Sequence, residues 1–551
     1  MAVINHEKME IEPFILDSVL EIQIQETLNE HTTFYLLARL EKDQRDKPVS
    51  AVAEGTKIKF KSDGNVIFSG VAKSINVVCV DEVYYLRAAA VSNTVLIDVE
   101  KKRRSFQDGD MKYRSIVGTI TKSKKSAVTF GDEKAANKTI ENIVLQYDET
   151  DWEFSKRLAS HSNAVLIPVA EEDTPNFIFG IKDGGSKGSL EKYDYSVHKN
   201  LSAYRQMSQF PDLGFTEDDA VTYTVTADNY MFNLGDMLTL DGSPLYVSAV
   251  NFTFLDSVLK CSYTLSTKTA ASAPKMFNRV GIIGLHLQGT VMDVKEDTVQ
   301  VRLDIDEADT VDNGQNSGGS YWFKYATPYS AENHTGWYVM PELEDVVQVL
   351  FPTEDEKYAY AAAAVRQDEG GEAKMSDHQT KYLRTPNGKE IKLDEKEILI
   401  TAEDDTTFIR INEDGGIDII TPHPINVTSN STISMTSEDD FSITTKKNLI
   451  ITADESILMS AKDNSSLISM ENKAAGITVN SKPPIKISGD KTIDMTSKDK
   501  FTIKASKDLT ASSDAKIIES GKSAIEMSTG MGSSIKMAGD IDIKAKLIKE
   551  N

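Results

Sequence analysis

Cysteine is nearly absent. Cys79 and Cys261 are the two in 551 residues. Two thiols cannot make a disulfide framework, and both lie in strand-like segments. The sequence reading is a buried free thiol in each, in a protein made in a reducing compartment. Eight histidines are scattered, none at ligand spacing from another, so no metal site is expected. Long apolar runs are also missing. No stretch of about 18 apolar residues offers a membrane helix, and MAVINHEKMEIEPF lacks the apolar core of a signal peptide. Export by a route without a cleaved signal is the expectation. Positive charge is in deficit, with 61 basic against 85 acidic residues and a net charge of −24. Such a surface repels phosphate and excludes nucleic acid and anionic membranes as partners. No GxSxG, HExxH, GxGxxG or P-loop occurs. Neither an enzyme nor a cofactor is predicted.

The length predicts three or four domains. Residues 1–275 read as mainly β, in two barrel-like or α+β units. VLEIQIQE and FYLLARL alternate as half-buried strands do. Two strands flank the turn Ser62-Asp63-Gly64-Asn65. A helix is predicted over 151–161, capped by Thr150 with Glu153 three residues on, and a second over 139–146. Residues 278–366 hold four or five strand candidates, the size of an OB-type barrel, with a loop at 312–320. Residues 367–380 read as a linker.

Residues 381–551 are dominated by Ser, Thr, Lys, Asp and Ile, and a repeat emerges there. Ile409, Ile417, Ile425, Ile433, Phe441, Leu449 and Ile457 are spaced by eight. After a break near 460–476 the spacing resumes at Ile477, Ile485, Ile493, Phe501, Leu509, Ile517 and Ile525. Most are followed two residues later by a second apolar residue; Glu519 is the acidic exception. An i, i+2 pair places two side chains on one strand face. Two apolar groups per row cannot enclose a core alone. Three chains offering a pair at each level can close a narrow prism and leave no open edge. The fold class predicted is mainly β: barrel-like α+β domains, an OB-fold barrel and a C-terminal trimeric intertwined β-helix.

The order of these blocks resembles the VgrG spike family of contractile injection systems and its phage tail hub-spike relatives. IENIVLQYDETDWEFSKRLASHSNAVLIP is similar to that family's aromatic-rich segment entering a helix. GTKIKFKSDGNVIFSGVAKSI is similar to its early hub strands. DTVQVRLDID, SYWFKYATPYS and GWYVMPELEDVVQVLFPTEDEKYAY resemble its barrel strands. Glu344 and Asp345 depart from it, standing where the family usually has Gly and Glu, and Ala361 to Ala364 replace a polar turn. The resemblance implies a homotrimeric hub joined to inner tube and baseplate proteins, and an outward needle. It also implies a PAAR-like tip protein and effectors carried non-covalently.

Three features admit another role. Asp304 and Asp306 read as an exposed strand end in preference to an acid–base pair. His423 reads as a surface turn. Lys101, Lys102, Arg103 and Arg104 read as a solvated loop. The rival readings of the whole chain are a receptor-binding tail-fibre shaft and a β-helical polysaccharide-degrading enzyme.

Overall fold

The computed structural model describes residues 4, 8–122, 124–209, 214–229, 231–272, 280–306, 319–331, 335–365, 377–403, 405–462, 465–472, 476–523, 525–531 and 534–537. Most of the linker expected at 367–380 and of the loop at 312–320 lies outside the described residues. Two compact units are present: Met1–Arg384 with Ile391–Ile398, and Thr385–Glu390 with Leu399–Asn551.

In the first unit, alternation sets the faces. Ile22 and Ile24 of the strand Leu16–Thr27 are buried, as are Phe34, Leu36 and Ala38 of Thr33–Leu40. Leu16–Thr27 pairs on one side with Thr33–Leu40 and on the other with Ser243–Leu255. The two barrel-like parts expected from the sequence therefore share one eleven-stranded sheet. Lys57–Ser62 and Asn65–Val80 are joined as expected, with Asp63 (φ 50) and Gly64 (φ 78) both left-handed, the conformation a two-residue hairpin loop demands. Cys261 is buried, and burial pushes its thiol up to about 12. Cys79 is exposed, contrary to expectation, because it sits near the far end of the long strand Asn65–Val80, beyond its core-facing part.

A smaller α/β block packs Tyr113–Lys122 and Asp151–His161 around Phe106, Trp152, Phe154 and Leu158. The helix Asp151–His161 forms as predicted. Thr150 Oγ1 accepts from the Glu153 amide at 3.0 Å, and the Glu153 carboxylate accepts from the Thr150 amide at 3.1 Å, a reciprocal capping box. The helix expected over 139–146 does not form. Glu141 has φ 63, and Val144–Glu149 is a strand paired with Lys102–Phe106. The β-favouring run Ile143-Val144 finds a partner strand, which overrides a local helix. The basic run is a solvated loop only at Lys101; from Lys102 on it is drawn into this ribbon by acids of the same chain, although Arg103 stays exposed. Lys102 Nζ lies 2.9 Å from Asp151, Arg103 pairs with Asp148 at 2.8 Å, and buried Arg104 donates to Gln146 at 2.7 Å and to Asp151.

Five strands then close a barrel: Leu285–Lys295, Thr298–Leu303, Trp322–Ala326, Tyr360–Val365 and Val346–Phe351, returning to the first. Pairing is antiparallel except between Trp322–Ala326 and Tyr360–Val365, an OB arrangement. Val299, Val301, Leu303, Phe323, Val347 and Val349 fill it. Gly289 is needed where the wall pinches, since a Cβ there would lie 2.5 Å from the Arg302 carbonyl oxygen. Glu344 has φ 71, a backbone state that favours glycine. Asp345 holds this turn by accepting from the Glu342 amide at 2.8 Å.

Polar residues clamp the barrel to the α/β block. Asp306 is buried, not exposed as expected, and accepts from the Ser105 amide and hydroxyl, both at 2.6 Å. Asp304, two residues away, faces solvent. Arg157 donates to Glu149 at 2.9 Å and to Glu356 of the barrel at 2.9 Å, all three side chains being buried. Burial pulls the guanidinium pKa down, but the charges of Glu356 and Glu149 outweigh it and hold it above its ordinary value. Among the described residues, no helix is long and apolar enough to cross a membrane.

Candidate functional site

In the second unit the octads take two forms. Some rows fold back on the chain itself. Thr407–Asn412 pairs antiparallel with Gly416–Ile420, setting Ile409 opposite Ile419 and Ile411 opposite Ile417. The turn has a local cause: Asn412 Oδ1 accepts from the Asp414 and Gly415 amides at 3.0 and 2.7 Å, and Gly416 has φ 82. Around the break near 460–476 the chain makes a three-stranded meander of Ser456–Ala461, Ser466–Glu471 and Gly476–Ser481. It places Ile457 opposite Met470 and Met470 opposite Ile477. Ile525–Ser528 pairs with Ser534–Met537.

The remaining rows behave differently. From 421 to 455 and from 482 to 523 the chain forms no helix or strand and bends every eight residues, at 422–423, 430–431, 438–439, 446–447 and 454–455, then at 482–483, 490–491, 498–499, 506–507, 514–515 and 522–523. Ile425, Ile433, Phe441 and Leu449 lie between bends of the first series, and Ile485, Ile493, Phe501, Leu509 and Ile517 between bends of the second. Among the described residues, no backbone hydrogen bond joins 424–453 or 484–523 to any other segment.

Hydroxyl side chains shape the bends. Thr421 accepts from the His423 amide at 3.1 Å, Ser429 from Ser431 at 3.1 Å, Thr445 from Lys447 at 3.3 Å and Ser513 from Ala515 at 3.2 Å. Ser and Thr favour such local turns because the hydroxyl replaces a backbone acceptor. Small residues recur at this corner position, with Ser437, Ala453, Gly489, Ser497, Ala505 and Gly521 among them. That column was legible as an eight-residue spacing of small residues, but the sequence reading passed over it. It also missed the pair Ile468 and Met470, which keeps the i, i+2 signature out of octad register.

Of the fourteen predicted positions, Ile457 and Ile525 are half-buried and the other twelve are exposed, from 38% at Ile409 to 73% at Ile477. The second members are as wet, with Met435 at 68% and Ile487 at 64%. Burying one such side chain is worth about 1.5–3 kcal/mol. Unpaired backbone amides and carbonyls would go unsatisfied if those faces were dried without partner strands. The stretches thus present two unmet demands together, an uncovered apolar face and an open strand edge. His423 lies exposed in the first bend. Among the described residues, no three His, Cys, Asp or Glu side chains gather as a metal site would require.

Residues 287–365, the barrel, match the family described as the type VI secretion system/phage-baseplate injector OB domain. No curated protein matches the chain. Among solved structures it is similar to the c3393 protein of E. coli, described as a type VI secretion component with structural similarity to T4 bacteriophage tail proteins gp27 and gp5. The identity is 14% over 65% of this chain and 100% of that one, with a TM-score of 0.47. It is similar also to the 43 kDa tail protein of prophage MuSo2 from Shewanella oneidensis, at 11% identity over 48% of this chain and 97% of that one (TM-score 0.38). A tail protein from Neisseria meningitidis gives 11%, 48%, 98% and 0.36 for the same quantities.

Proposed function

We propose that this chain is the subunit of a homotrimeric spike in a contractile injection machine, with a mechanical and not a catalytic role. The observation that carries this reading is the octad ladder. It is an apolar face with open backbone edges, carried by a chain whose barrel belongs to the injector OB class. Three copies winding together would satisfy both demands, each chain supplying the strands its neighbours lack. The resulting rod would resist buckling because the bent rows would be hydrogen-bonded to other chains. In this reading the first unit joins the inner tube and baseplate proteins, and the needle carries a PAAR-like tip and non-covalent effectors. The particle is assembled inside the cell and driven outward through the target envelope.

Light scattering on the purified full chain tests the assembly. A particle of three times the 60.9 kDa chain mass is expected, resistant to dissociation by SDS. A folded monomer would overturn the reading and favour a self-contained solenoid.

A further inference from the structure

Most charges of the bent rows sit at or beside the bends, and their signs follow a rule. In the first series Glu438 is followed eight residues on by Lys446 and then Asp454, and Asp439 by Lys447 and then Glu455. In the second, Lys482 is followed by Asp490 and Lys498, Lys491 by Asp499 and Lys507, Lys500 by Asp508 and Lys516, and Asp514 by Lys522. Along these corner columns no charged residue meets its own sign at the next row. All these side chains are exposed, and among the described residues none forms an ion pair within the chain.

Geometry gives the alternation a use, on the trimeric reading above. Each octad spans one face of a three-sided prism and each bend turns one corner. By three-fold symmetry, row n of one chain lies on the face that its neighbour reaches with row n+1. Stacked strands are about 4.8 Å apart, so residues eight apart in sequence become vertical neighbours on different chains. The apolar columns cannot specify this register, because a slip of one row still sets Ile over Ile. The corner charges can. A one-row slip brings positions sixteen apart together and sets like charges over each other at Glu438/Asp454, Asp439/Glu455, Lys482/Lys498, Lys491/Lys507 and Lys500/Lys516, turning attraction into repulsion there. Polar groups that break the degeneracy of an apolar repeat are an established way to fix register.

We infer that the corner charges form an interchain ion-pair ladder that sets the register of the three chains. Carbodiimide coupling of the full-length trimer, assembled from isotopically light and heavy chains, reads this directly. Mixed-isotope links are expected from Lys446 and Lys447 to residues 438–439 and 454–455. Links confined to one chain, or running to other rows, would overturn the ladder while leaving the trimer standing. A particle of monomer mass would instead overturn the trimer itself. The variant Lys446→Glu/Lys447→Glu should lose SDS-resistant trimer several-fold. Further reversal of Glu438, Asp439, Asp454 and Glu455 to Lys should restore it, since alternation returns. Because the screening length falls to about 3 Å at 1 M salt, assembly in 1 M NaCl should narrow the difference. Trimer yield unaffected by the first variant, or not recovered by the second, would count against the proposal.

Discussion

Val347, Val349 and Phe351 in the barrel and Ile433 and Met435 in the octads obey one rule: apolar residues two apart on an extended chain. In the barrel all three are buried, and the strand finds Leu285–Lys295 on one side and Tyr360–Val365 on the other. In the octads both residues are more than half exposed and, among the described residues, no other segment pairs with theirs. The difference lies in the supply of neighbours. The barrel has five strands of its own chain and can close, whereas the octads of 424–453 and 484–523 bend away before their chain can pair with itself. Alternation announces a strand face, and the number of rows that can meet decides whether one chain or several must cover it.

The strongest way to break this comparison is to spoil the octad face alone. Ile433→Asp with Ile493→Asp should abolish the SDS-resistant trimer while leaving the thermal transition of the first unit unchanged. A surviving resistant trimer would show that these columns do not face inward. The converse change attacks the closed side. Arg157→Ala leaves Glu149 and Glu356 buried without their cation and should lower first-unit stability by about 3–5 kcal/mol. Urea unfolding followed by the fluorescence of the three tryptophans, Trp152, Trp322 and Trp337, all in the first unit, measures it, and a loss under about 1 kcal/mol would mean the clamp is dispensable. A smaller effect sharpens the barrel side. Glu344→Gly should relieve the left-handed backbone and stabilise the barrel by up to about 1 kcal/mol, read as a raised melting temperature; a lowered one would show that the Glu344 side chain supports the turn. Least in energy, Cys79 should be alkylated by maleimide in the native protein and Cys261 only after unfolding. Equal rates would contradict the burial assigned to Cys261.

Much of the fold was legible where local rules suffice. The capping box named the helix Asp151–His161, Asp63-Gly64 named a hairpin, and alternation named the barrel strands. Misreadings arose where distant partners decide. The segment 139–146 looked helical until Lys102–Phe106 claimed Val144–Glu149 as a strand. The basic run looked solvated until Asp148 and Asp151 met it from across that ribbon, and Asp306 looked exposed until Ser105 met it. The octad face was legible as a repeat. Its division into bent rows and folded-back hairpins was not, because each hairpin depends on a specific turn such as that of Asn412.

The sequence by itself determined the periodicities: two-residue alternation, eight-residue rows, and charges that change sign from row to row. These are properties of neighbours along the chain, and backbone geometry turns them directly into faces and corners. Only the tertiary structure decided which faces are already covered and which still wait. Burial depends on strands brought together from far apart in sequence, and no local pattern records whether they arrive.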